Sequence, residues 1–283
     1  MVVAGSEAAR RRNKHRLARP GFPSRTGVVS ALGVAKIGGV MGEMKQTRRE
    51  LAAAFRWAAR LNYHEAVANH FSAAVSDDGQ KFLINPRGRH FSRMRASELV
   101  LIDTAKIDDD GIDYGVDPTA WILHSHLHQK IPNARVLMHS HMPYATTLAC
   151  LEGFEFLMLD QNACRFFQRI AYDRNYSGML LEASEGERLA SLMTEGKDVL
   201  FLGNHGVLVA APSVAECFEK LYYLEHASKL QVLALSTGQP LSLIGDTVAS
   251  ATRKQWDEYP EAAQMFMSEL MKILDEESAD YIK

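Results

Sequence analysis

The sequence predicts a single α/β domain built on a mixed, largely antiparallel sheet. Two observations carry that expectation. Short apolar strand-like runs alternate with helix-period segments along most of the chain, and hairpin signals at 77–79 and 203–206 exclude a wholly parallel sheet. The composition agrees: 283 residues, 47% hydrophobic and 23% charged, are those of an ordinary globular chain with enough apolar surface for a core.

Order is expected to begin near Met44, because Leu51, Phe55, Ala58 and Leu61 recur on one helical face while Arg48, Arg49, Arg56 and Arg60 take the others. The period then changes. Phe71 to Val75 and Phe82-Leu83-Ile84 flank Asp77-Asp78-Gly79 and read as a hairpin. Leu99 to Ile102 is a further strand, and Asp108-Asp109-Asp110-Gly111 is a solvated turn, since the glutamate that closes a calcium loop is absent. Asp117-Pro118 opens a helix running to about Ile131. Arg135 to Met138 forms a buried strand that delivers His139-Ser140-His141. Ser184-x-x-Glu187 reads as a capping box for a helix ended by Gly196. Val199 to Leu202 runs through Gly203-Asn204-His205-Gly206 into Val207 to Ala211, and Ser213-x-x-Glu216 caps a long helix reaching about Ser236. Helical stretches after Asp246 and Pro260 follow.

The charge is unevenly placed. Residues 1–43 hold eight basic against two acidic side chains, leaving 24 basic and 32 acidic residues in 44–283. We therefore expect a disordered basic N-terminal extension over 1–43 and a folded, acidic domain over 44–283. A net charge of −2 gives no electrostatic footprint for nucleic acid, and the extension carries no stacking aromatic besides Phe22. No run approaches a membrane span, and the expected location is cytoplasmic. Cys150, Cys164 and Cys217 are odd in number and far apart, which argues against a disulfide framework or a thiolate zinc module.

Eleven histidines remain as potential ligands. Residues two apart on a strand share a face, so His139 and His141 can address one ion while Ser140 points away. His205 sits in a glycine-flanked turn, where glycine allows close backbone approach and positive φ. Three imidazoles leave open positions on a divalent metal, the arrangement of a catalytic site, although such histidines also occur as satisfied core residues. His124, His126 and His128 compete for the role, but Ser125 stands where an HExxH motif needs its glutamate. A surface or orienting role suits them better.

The chain resembles the class II aldolase and adducin superfamily in Asn69-His70-Phe71-Ser72, Ile84-Asn85-Pro86-Arg87-Gly88, Ala96-Ser97-Glu98-Leu99, the helix from Thr119 to Ile131, His139-Ser140-His141 and Asn204-His205-Gly206, in that order over roughly residues 45 to 240. The resemblance implies an α/β/α sandwich and a cyclic homotetramer with sites between subunits. It also implies a divalent metal on His139, His141 and His205, with zinc the first expectation and manganese or iron the alternatives, and a small-molecule substrate met by Asn69, Arg87 and Gly88. Two positions depart from the sugar-phosphate aldolases. Ala120 replaces the acid/base glutamate ahead of the aromatic residue, here Trp121, and Arg87 replaces a small hydroxyl-bearing residue before Gly88. Arg87 offers a planar fork for a carboxylate or phosphate, or is a solvated loop residue. Tyr172 lies near the family's catalytic tyrosine and is a proton-donor candidate, or a buried structural residue.

The expected activity is a metal-dependent lyase that cleaves or decarboxylates a small hydroxy-carbonyl or hydroxy-carboxylate compound through a metal-stabilised enolate. The alternative is an adducin-like binding or assembly module without turnover.

Overall fold

A computed structural model of the chain describes residues 31–106, 115–131, 134–194 and 196–283, with side chains from Gly42 onward. The chain divides into Met1–Gly39 and Val40–Lys283. The sheet lies in the second unit, as seven strands in the order β3-β2-β1-β4-β7-β6-β5. These are β1 (His70–Ala74), β2 (Lys81–Ile84), β3 (Val100–Asp103), β4 (Val136–Ser140), β5 (Ile170–Asp173), β6 (Val199–Leu202) and β7 (Gly206–Ala211). All neighbours pair antiparallel except β5 with β6. The helices are α1 (Ala31–Arg60), α2 (Pro118–Lys130), α3 (Pro143–Ala149), α4 (Ala183–Leu192), α5 (Val214–Ser236), α6 (Asp246–Asp257) and α7 (Glu261–Ser278). The mixed, largely antiparallel sheet flanked by helices matches the expected class.

Strand alternation sorts the side chains between two layers. Phe71, Ala73, Val136, Met138, Val207 and Val209 join Leu51 and Phe55 of α1 and Phe218 and Leu221 of α5 in one large apolar core. Leu137, Leu200, Leu208 and Ala210 face the other way, onto Leu123 and Leu127 of α2 and Leu189 of α4. His139 shares the Leu137 parity, which places it on the α2 side.

Several boundaries differ from expectation. The first helix begins at Ala31 rather than near Met44, so residues 31–43 of the anticipated extension are helical; residues 1–30 and the Asp108–Gly111 turn lie outside the described residues. Once the packed turns around Leu51 and Phe55 exist, each added residue gains a hydrogen bond for one pair of torsions, and no proline interrupts 24–85. The Ser184 capping box does not form. Helix α4 starts at Ala183 after Glu182 and stops at Met193, so Ser184 is already helical. Packing decides this: a Cβ on Gly186 would lie 2.7 Å from Nδ1 of His126, which seats α4 directly on α2. The predicted caps Asp117 and Ser213 do form, accepting from the Thr119 and Glu216 amides. Helix α3, which opens on Pro143, and strand β5 were not anticipated.

The Asp77-Asp78-Gly79 turn is present, with Gly79 at φ +70. A Cβ there would come 2.2 Å from the His128 carbonyl oxygen, so the β1–β2 hairpin rests on the end of α2 with no room for a side chain.

Candidate metal and substrate site

Strand β4 sits between β1 and β7, with His139 opposite His70 on one side and opposite Leu208 on the other. His141 follows just past the strand end, and the β6–β7 turn brings in His205. Here the positive φ belongs to Asn204, at 56, rather than to a glycine. The glycines serve close approach instead: a Cβ on Gly206 would stand 2.6 Å from the Ser140 carbonyl oxygen and 2.8 Å from the His141 ring.

His139, His141 and His205 offer nitrogens that all lie within 4.8 Å of one another. The remaining nitrogens of two rings are committed. His139 Nδ1 donates to the Val207 carbonyl at 3.0 Å, and His141 Nδ1 bonds a Glu65 carboxylate oxygen at 2.6 Å. Both Nε2 lone pairs are thereby left for an ion. The two Nε2 atoms are 3.1 Å apart. Two nitrogens about 2.0–2.1 Å from one zinc at the tetrahedral angle would be about 3.3 Å apart, so this donor set fits a divalent metal. Burial and the neighbouring imidazoles hold His139 far below the ordinary histidine range, and burial with repulsion from His141 lowers His205 to about 4. Neutral ligands are therefore available at physiological pH.

The three histidines open into a cavity of about 300 Å³ lined also by His70, Asp117, Thr119, Tyr176 and Arg188. Asp173, 8% exposed, faces this cavity and is held by both Arg188 amino groups at 2.8 Å. Tyr176 stands at the rim, its ring 6.3 Å from that of His205.

The other anticipated residues are placed less uniformly. Asn69 is buried beside the cavity residue Ala68; its Oδ1 accepts from the Glu65 amide at 2.7 Å, and its Nδ2 is a buried donor without a partner. Arg87 is an exposed side chain with Nε 3.9 Å from Asp117, the cavity residue that caps α2. Gly88, at φ +75, has nothing near its missing Cβ. Neither Arg87 nor Gly88 lines the cavity. Ala120, in place of the acid/base glutamate, is buried at 1% exposure. Tyr172 requires a correction. In β5 it is Asp173 that shares the cavity parity, so Tyr172 projects to the opposite face among Phe154 and Phe201 and accepts a hydrogen bond from the Phe156 amide at 2.9 Å. Its hydroxyl does not reach the cavity of its own chain.

Sequence reasoning missed Glu65, His70, Asp173, Arg188 and Tyr176. For His70 a signal existed, since His70 and Ser72 alternate with apolar Phe71 and Ala73 and mark a polar strand face. Glu65 lies in an irregular loop between positive-φ residues Asn62 and Ala66, which no periodicity reveals.

Comparison with known proteins shows the family of the chain. The model of the class II aldolase and adducin N-terminal domain matches residues 49–232. A Caulobacter vibrioides protein whose name places it in aldolase class 2 is 32% identical over 212 residues, covering 74% of this chain and 81% of the relative. An adducin-related protein of Schizosaccharomyces pombe is 33% identical over 194 residues, 66% of this chain and 59% of its own length. Among solved structures, an aldolase II superfamily protein from Pseudomonas syringae aligns with a TM-score of 0.75 at 29% identity over 84% of this chain and 96% of its own. L-fuculose 1-phosphate aldolase from Glaciozyma antarctica shares the fold, with a TM-score of 0.73 at 21% identity over 94% and 97%. Family model, relatives and fold converge on the same body of the chain, which belongs to the class II aldolase and adducin family.

Proposed function

We propose that this chain is a divalent-metal-dependent lyase that cleaves or decarboxylates a small hydroxy-carbonyl or hydroxy-carboxylate compound. One observation carries the reading: histidine nitrogens from two neighbouring strand ends converge at the floor of a cavity, with the far side of two rings tied to Val207 and Glu65. A divalent ion on His139, His141 and His205, zinc first, would act as a Lewis acid for the charge that develops when a carbon–carbon bond breaks.

The chain's own residues then divide the work. The Arg188–Asp173 pair fixes one wall, and Asp117 and Thr119 place polar groups at the start of α2. Arg87, outside the cavity near Asp117, is positioned to meet an anionic group at its edge. With Ala120 unable to carry a proton, the proton-transfer candidates are the titratable groups that line the cavity, Tyr176 at the rim and Asp117 at the start of α2. Decarboxylation needs a proton only after bond breaking, which favours it over aldol cleavage here. The competing reading, an adducin-like module without turnover, is favoured by the buried Ala120.

Metal content of purified wild type, His141→Ala and His205→Ala tests the site. We expect near one equivalent in the wild type and loss in both variants; equal content in all three overturns the proposal. Turnover of hydroxy acids that survives complete metal removal by EDTA overturns the Lewis-acid role. Among the described residues no helix is long and apolar enough to cross a membrane.

A further inference from the structure

Beneath the metal-ligating histidines, four more polar side chains form a continuous buried row. His70 Nδ1 lies 2.7 Å from His124 Nε2, His124 Nδ1 lies 2.5 Å from Ser72 Oγ, and Ser72 Oγ lies 2.6 Å from His128 Nε2. The row ends where His128 Nδ1 meets the Ala134 carbonyl oxygen at 2.7 Å. His124 and Ser72 are fully buried, and His70 and His128 are 4% and 6% exposed.

The end of the row sets the direction of every bond in it. A carbonyl oxygen can only accept, so His128 Nδ1 carries a hydrogen. Burial keeps His128 neutral, which leaves its Nε2 as an acceptor. The single hydroxyl hydrogen of Ser72 must therefore point to His128, and the Ser72 oxygen must accept from His124 Nδ1–H. Neutral His124 then has a bare Nε2, so His70 must donate to it through Nδ1–H. All three histidines are forced into the Nδ1–H tautomer. With Nδ1 engaged toward α2, the lone pair on His70 Nε2 turns to the cavity that His70 lines, beside the His139 ring at 4.7 Å.

We propose that His70 is a hydroxyl-binding residue of this cavity: the chain from Ala134 through His128, Ser72 and His124 fixes its tautomer, and its Nε2 accepts a hydrogen bond from a substrate hydroxyl next to the metal-chelating oxygens. His124, Ser72 and His128 are positioning residues that act through it. The assignment rests on the cavity being the substrate site proposed above, and it sharpens the substrate class. The molecule carries a free hydroxyl beyond the pair of oxygens that chelate the metal, because a buried acceptor left without a donor costs more than the bond itself returns.

Two measurements test this. Neutron diffraction from deuterium-exchanged crystals of the metal-free protein reads the tautomers directly. Deuterium is expected on Nδ1 of His70, His124 and His128, and deuterium on His70 Nε2 overturns the proposal whether or not the protein binds metal. Calorimetric titration of the zinc-loaded protein with glycerate and with lactate, which differ by one hydroxyl, tests recognition. Wild type is expected to prefer glycerate by roughly tenfold, as one net hydrogen bond provides. His70→Ala should abolish the preference. Ser72→Ala, which leaves the His70 ring in place but frees its tautomer, should reduce it. An undiminished preference in both variants overturns the assignment. Failure to take up zinc contradicts the metal reading alone and leaves the neutron result to decide the tautomer.

Discussion

Along β1, adjacent residues enter two different chemical worlds. Phe71 stacks on Phe55 at 4.8 Å and meets Phe91 edge-on within the large core under α1 and α5. One residue to either side, His70 and Ser72 point to α2 and are bonded to His124 and His128, where an apolar layer would have packed more cheaply. The first face stabilises the fold. The second spends some of that stability on buried imidazoles whose geometry matters more than their transfer free energy.

The contrast can be attacked first through pH. Burial lowers His70 to about 3 and His128 to about 4, and holds His124 and His139 well below the usual range. The unfolded chain therefore binds protons that the folded chain refuses, and stability should be complete above about pH 6.5 and fall as pH drops toward 4. His128 alone accounts for about 3 kcal/mol of that loss, and the four together for the largest effect expected here. Urea unfolding of the metal-free protein at pH 7.5, 5.5 and 4.5 measures it; a flat profile would show that the α2 face is not a neutral, desolvated layer.

The apolar face breaks differently. Phe55→Ala should cost about 3–5 kcal/mol at every pH, through lost transfer energy and an unfilled cavity. Metal content per folded molecule should not change; a coincident loss of metal would show that the two faces are coupled through the sheet.

Glu225 gives the apolar side one titration of opposite sign. Burial pushes its carboxyl up to about 7, against the pull of the Tyr144 and Ala145 amides that donate to it at the start of α3. A raised acid makes the folded state bind the extra proton, so this contribution weakens stability as pH rises from about 4.5 to 7, by about 3 kcal/mol. Glu225→Gln should remove that decline and steepen the net rise with pH due to the histidines. An unchanged pH profile in the variant would assign the carboxyl an ordinary ionisation.

The smallest effect concerns Glu65, whose carboxylate orients His141 from a loop. Glu65→Ala should leave the fold intact and weaken metal binding about 10–100-fold in competition with a chelator. Unchanged affinity would mean that strand geometry alone aims the ligands.

The two faces were also unequally legible in the sequence. Period-two alternation and the Asp117 and Ser213 caps are local rules, and β1, β2, β4, β6, β7, α2 and α5 follow them closely. His139, His141 and His205 could be read together because a strand pair and a tight turn fix where they point. The row from His70 to Ala134 could not. It depends on the register that sets His70 against His139 and on the way α2 lies across β1, neither of which is encoded within any one segment. Tyr172 shows the converse: the family resemblance suggested it as a proton donor, and one step of strand parity turns it to the other face as the structural tyrosine that was the alternative. Helix α3 carried a readable sign in Pro143 at its first turn, while β5, with Asp173 at its end, is too weakly patterned to stand out.

The position of β4 has a consequence for how an ion would enter and leave. Its backbone is paired on both sides, to β1 and to β7, whereas β3 and β5 are edges. Amides at the middle of a sheet exchange with solvent only when the whole structure opens, while those at edges exchange through local fraying. The backbone of His139 is therefore held in place unless the sheet opens. An ion held there would exchange by way of the cavity mouth near Tyr176, and its rate should follow access through that rim rather than the slow deuterium uptake of the strand beneath it.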